Sequence, residues 1–130
     1  MAARILIIDD SRTTLEVIKV HLMGVGYEFV TARDATEALS MAQQERPDLI
    51  ISDLAMPGVT GIELCKKIRM SPALRKVPFV VVTAQKEDSV RREAFAAGVD
   101  GFLRKPIDSA RLQALVAELL ILRQSGANRR

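Results

Sequence analysis

Five short apolar runs rich in β-branched residues alternate along this chain with five segments of helical periodicity, and no other feature constrains the fold as tightly. The runs read RILIID from Arg4, EFVTA from Glu28, LIISDL from Leu49, VPFVVVTA from Val77 and GFLRK from Gly101. Between them, Leu15, Ile18 and Leu22 fall on one helical stripe, Ala35, Ala38, Leu39 and Ala42 on a second, and Ile62, Cys65 and Ile68 on a third. Val90, Ala94 and Ala97 form a fourth, and Leu112, Val116, Leu119 and Leu120 a fifth. The first, third and fourth runs are continuously apolar, as strands of a parallel sheet covered on both faces require. Right-handed crossovers then predict an α/β, doubly wound (βα)5 sandwich with a five-stranded parallel sheet.

Composition narrows the setting. A chain of 130 residues with 48% hydrophobic and 27% charged residues can bury one real core. No apolar run approaches the roughly 20 residues of a membrane span, and no secretory signal is visible. The single cysteine, Cys65, excludes an internal disulfide. These features predict a cytoplasmic protein without membrane contact. The net charge of +3 is carried by Arg123, Arg129 and Arg130, so residues 1–122 balance at 3 − 3 = 0. Residues 1–122 are therefore read as the domain and 123–130 as a basic tail or linker stub, with no nucleic-acid surface on the folded body.

Ligands of such sheets bind beyond the carboxyl ends of the strands. Those ends carry Asp9 and Asp10, then Asp53, Thr83 and Lys105; the second strand ends in Ala32 and Arg33 and offers no comparable group. Three aspartates in one cleft repel one another unless a cation neutralises them. An all-oxygen donor set suits a hard ion, and Mg2+ fits best. Two carboxylates can hold the metal while the third accepts a phosphoryl group, with Lys105 and Thr83 flanking the phosphoryl oxygens.

The paired aspartates after the first strand, SDLAMPGVTG around Asp53, VVTA at Thr83 and KP at Lys105–Pro106 together resemble the receiver domain of two-component response regulators, over residues 4–122. That resemblance implies a flavodoxin-like strand order of 2-1-3-4-5 and makes Asp53 the phosphoacceptor. It implies Mg2+ ligation by Asp10, Asp53 and the Ala55 carbonyl, with Asp9 acting largely through water. Lys105 would pair with the phosphoryl group, Thr83 would shift toward it, and Phe102 would be the switch aromatic. The Lys105–Pro106 bond is similar to one that is cis in the family, and Ala55 and Gln85 occupy positions that tune dephosphorylation. The function implied is a phosphorylation-controlled switch of a two-component phosphorelay, not an enzyme beyond its own self-catalysed phosphoryl transfer and autodephosphorylation. A sensor histidine kinase or phosphotransfer protein would supply the phosphoryl group. The fourth helix, fifth strand and fifth helix would meet an output protein, an effector domain or a second copy. The chain stops after the fifth helix, which suits a domain acting alone or cut from a longer regulator.

Plainer readings compete at several positions. Asp9 and Asp10 could cap the first helix, with Ser11 the better cap. Thr83 alone is an ordinary strand end, and Phe102 on spacing alone is a core residue. Cys65 reads as a small buried hydrophobe. His21, among polar neighbours, reads as solvated, as do Arg91 and Arg92. A phosphorylation-independent module on this fold would usually lack one of the key groups, and none is missing. A cofactor binder or phosphatase would need a Gly-rich loop or an Asp-x-Asp spacing, and neither is present. Leu115, Ile121 and Leu122 widen the apolar arc of the fifth helix, which predicts a partner surface rimmed by Arg91 and Arg104.

Overall fold

The structure, a computed structural model, describes residues 2–125. Its elements run β1 (Arg4–Ile8), α1 (Arg12–His21), β2 (Glu28–Ala32), α2 (Ala35–Glu45), β3 (Leu49–Asp53), α3 (Gly61–Met70), β4 (Phe79–Thr83), α4 (Asp88–Ala96), β5 (Gly101–Arg104) and α5 (Ser109–Ser125). All strand pairs are parallel, in the order β2-β1-β3-β4-β5, as the resemblance implies.

Alternation along the strands divides the core into two layers. Ile5, Ile7, Leu49, Ile51, Val80 and Val82 face α1 and α5. Leu6, Ile8, Ile50, Phe79 and Val81 face α2, α3 and α4. Cys65 is fully buried in this second layer.

Local chemistry starts most of the helices. Ser11 caps α1 by accepting the Thr14 N–H, and Asp34 caps α2 by accepting that of Glu37. Thr60 and Glu63 form a reciprocal capping box at α3, and Asp108 accepts from Ala110 and Arg111 at the start of α5. Helix α4 has no side-chain cap, and Ala94 is its single buried residue. It is the most weakly anchored helix.

The structure corrects the sequence reading at three places. Helix α5 continues through Ser125, so Arg123 belongs to the folded body: its Nη1 donates to the Lys76 carbonyl, and its Nε lies 3.8 Å from Asp48. Arg129 and Arg130 lie outside the described residues. Leu115 is not surplus apolar surface, because its Cδ2 sits 2.7 Å from where a β-carbon on Gly101 would stand. The missing β-carbon at Gly101 leaves room for the Leu115 side chain in this position. Ile121 and Leu122 do remain exposed. The surroundings of His21 are not wholly polar: exposed Val17 and Val20 lie beside it on α1, and Met23 and Val25 follow in the turn to β2. Among the described residues, no helix is long and apolar enough to cross a membrane.

Candidate functional site

The carboxyl ends of β1, β3 and β4 are aligned by register, with Ile8 opposite Ser52 and Asp53 opposite Val82. Carboxylate oxygens of Asp9, Asp10 and Asp53 consequently lie within 4.8 Å of one another. Asp9 is buried and Asp10 is exposed. The Asp9 Oδ1 accepts the Ser11 N–H at 2.8 Å, which bends the chain from β1 into α1.

Lys105, just past β5, reaches across β4 to this cluster. Its Nζ stands 3.6 Å from Asp9 and 3.7 Å from Asp53, and its N–H donates to the Thr83 carbonyl at 2.8 Å. The Lys105–Pro106 peptide bond is cis. Thr83 ends β4 fully buried, its Oγ1 accepting the Gln85 N–H at 3.0 Å. Phe102 stands apart from the acidic cluster on β5, half-buried against the α2–α3–α4 layer, with Arg104 over its ring at 5.9 Å.

Burial pushes the Asp53 carboxyl above its ordinary value, and the neighbouring Asp9 charge pushes it further; Lys105 and the Ala55 N–H act against the rise. Asp9 is also raised, by burial first, with the Ser11 N–H and Lys105 opposing. One ammonium thus leaves the three carboxylates incompletely neutralised. An all-oxygen cluster of this spacing, carrying excess negative charge, is a fitting seat for Mg2+. A cleft of about 740 Å³ opens beside it, lined by Asp10, Ala55, Lys66, Gln85 and Val90 among others. A substrate group can approach the rim through that cleft.

The sequence model of the response regulator receiver domain matches residues 5–117. The chain belongs to this family. Among relatives, the response regulator PleD of Caulobacter vibrioides is 38% identical over 119 residues, covering 92% of this chain and 26% of PleD. The phosphate regulon transcriptional regulatory protein PhoB of Rhizobium meliloti is 33% identical over 120 residues, covering 92% of this chain and 53% of PhoB. The chain thus spans about a quarter to a half of these relatives' lengths. Among solved structures, the chemotaxis response regulator CheY4 of Vibrio cholerae superposes with a TM-score of 0.84 at 34% identity, covering 92% of this chain and 99% of that one. The receiver domain of a signal transduction histidine kinase from Syntrophus aciditrophicus gives a TM-score of 0.85 at 35% identity, covering 99% and 95%.

Two residues of this receiver site escaped sequence reasoning. Gly61 lies at the first turn of α3, directly against the Asp53 carbonyl. Its place in SDLAMPGVTG was visible, but its contact was not. Arg33, at the strand end dismissed as empty, reaches the Asp10 carbonyl with its guanidinium. No spacing rule foretells where a long exposed side chain will land.

Proposed function

We propose that this receiver domain is a phosphorylation-controlled switch in which Asp53 accepts a phosphoryl group from a phosphohistidine on a sensor kinase or phosphotransfer protein. The observation that carries the reading is the convergence of three carboxylates within 4.8 Å, with the Lys105 ammonium 3.6 and 3.7 Å from two of them. Asp10 and Asp53 would hold Mg2+ with the Ala55 carbonyl, and Asp9 would complete the acidic set. A bound Mg2+ supplies charge neutralisation for carboxylates and phosphoryl oxygens that repel one another when bare.

The chain's own groups do the rest. An Asp53 oxygen bonds to phosphorus as the P–N bond of the donor breaks, and the leaving imidazole takes up a proton. Lys105 faces the transferred group with positive charge. Thr83 exchanges its acceptor contact with the Gln85 N–H for donation to a phosphoryl oxygen. Phe102 then follows the displaced threonine inward, and the face of α4, β5 and α5 changes what it binds: an output protein, an effector domain or a second copy. A partner shifts this equilibrium only by its differential affinity for the two states.

The test is mass spectrometry after incubation with Mg2+ and a small phosphodonor such as acetyl phosphate. One phosphoryl group should appear, and either Asp53→Asn or a chelator should abolish it. Modification at another residue, or none with Mg2+ present, would overturn the assignment.

A further inference from the structure

The two adjacent aspartates of the rim are held very differently. Asp9 is buried, hydrogen-bonded to the Ser11 N–H at 2.8 Å and paired with Lys105 at 3.6 Å. Asp10 is exposed, and among the described residues its single hydrogen bond comes from Arg33, whose Nη2 donates to the Asp10 carbonyl at 3.3 Å. Arg33 itself is well placed. The Asp9 N–H donates to the Ala32 carbonyl at 3.1 Å, which seats Arg33 beside the β1–α1 connection. The Arg33 N–H donates to Glu37 Oε1 at 2.7 Å, and Asp34 caps α2 by accepting the Glu37 N–H at 2.8 Å. No carboxylate among the described residues pairs with the guanidinium.

We infer that Arg33 is a positioning residue for the metal site: its guanidinium holds the Asp10 peptide so that the Asp10 carboxylate stays turned toward Asp9 and Asp53. This rests on the Mg2+ reading above. Two effects of Arg33 on a bound cation oppose each other. Its charge repels the cation, but both the side chain and Asp10 are exposed, so water and salt screen that repulsion. Its hydrogen bond orders a loop that would otherwise lose freedom on binding, and outer groups that orient a ligand strongly affect metal affinity. Ordering therefore outweighs repulsion, and loss of Arg33 weakens Mg2+ binding. Charge repulsion alone predicts the reverse sign.

The experiment is calorimetric titration of Mg2+ into the full chain, its Arg33→Ala variant and its Arg33→Lys variant, with the metal-free melting midpoint as a control on folding. Arg33→Ala should bind Mg2+ about tenfold more weakly, with an unchanged metal-free midpoint. Arg33→Lys keeps the charge and a single point donor, and should fall between the two. Equal or tighter binding by Arg33→Ala would overturn the inference. Should Arg33→Ala lower the metal-free midpoint, Arg33→Lys decides alone: weaker binding than wild type supports the inference, and wild-type affinity overturns it. Wild-type protein that binds no Mg2+ would overturn the Mg2+ reading itself, a separately visible failure.

Discussion

A β-carbon on Gly61 would stand 2.5 Å from the carbonyl oxygen of Asp53, inside any allowed contact. The Gly61 N–H donates to the Leu54 carbonyl at 2.8 Å, and Ser52 Oγ donates to the Asp53 carbonyl at 2.8 Å. The first turn of α3 is thus laid directly on the strand end that carries Asp53, the proposed phosphoacceptor. Gly61→Ala must displace one or the other, and should cost about 1–3 kcal/mol of stability by urea unfolding. It should also slow phosphorylation of Asp53. Gly58→Ala is the control: its β-carbon meets open space, so only its φ of +82° opposes the change, at about 1–2 kcal/mol. Equal phosphorylation rates in the two variants would show that the contact at Gly61 does not position Asp53.

The raised Asp9 and Asp53 carboxyls set a pH dependence whose sign follows from linkage. Burial is the first cause of each rise, and a raised carboxyl binds its proton more tightly in the folded state than in the unfolded one. Between the ordinary value of 3.8 and the higher folded value, the folded chain holds more protons, so their contribution to stability falls as pH rises through that window. At neutral pH in EDTA the penalty is fully present. Asp53→Asn should then be more stable than wild type by about 1 kcal/mol. That gap should narrow as the pH falls and close only below the ordinary value of 3.8, where Asp53 becomes protonated in both states. An Asp53→Asn variant that is less stable than wild type at neutral pH would mean the carboxylate is structural.

Arg69 predicts a stability effect away from the site. Its guanidinium donates to the Gly98 carbonyl through Nε and Nη2, to the Val77 carbonyl at 2.7 Å and to Asp100 at 2.9 Å. Asp100 also accepts the Phe79 N–H at 2.9 Å, so one ion pair ties the end of α3 to the start of β4 and the turn into β5. Both side chains are largely buried. Arg69→Ala removes the guanidinium from that largely buried carboxylate and should cost about 3 kcal/mol, read as a lowered urea midpoint. A loss no larger than that of an exposed arginine such as Arg92 would contradict this account.

The parts legible in the sequence share one physical basis. Strand periodicity and the strand-end rule place Asp9, Asp10, Asp53, Thr83 and Lys105 on one rim from the sequence alone. What stayed hidden depends on contacts between distant elements. Leu115 looked surplus because a helical wheel cannot show that Gly101 leaves a hollow for it. Arg123 looked like tail because composition says nothing of the ion pair with Asp48 that ties it to the body. Arg33 looked idle because its role lies in where its side chain ends, not where its backbone begins. Exposed Val17 and Val20 lie off the inward stripe of α1, and helical periodicity alone gives them no role.

The output route gives the last prediction. In the register of β4 and β5, Val81 faces Phe102 and Thr83 faces Arg104, so Thr83, Phe102 and Arg104 share the sheet face beneath α4. Arg104 pairs with Asp88 at 3.3 Å in the first turn of α4, a helix with no side-chain cap and a single buried residue. A pull on Thr83 therefore meets little resistance between the rim and α4. Amide exchange with and without Mg2+ and beryllofluoride, a phosphoryl mimic, should show changes running from Asp53 through Thr83 and Phe102 into α4 and α5. The first turn of α4 should respond more than α1 or α2. Phe102→Ala should leave phosphorylation of Asp53 intact and blunt the response of α4. Arg104→Ala should speed exchange at Arg91 and Arg92 even without the mimic, because the ion pair holding that turn is gone. Changes confined to the Asp53 pocket, or running instead into α1 and α2, would place the output on another face.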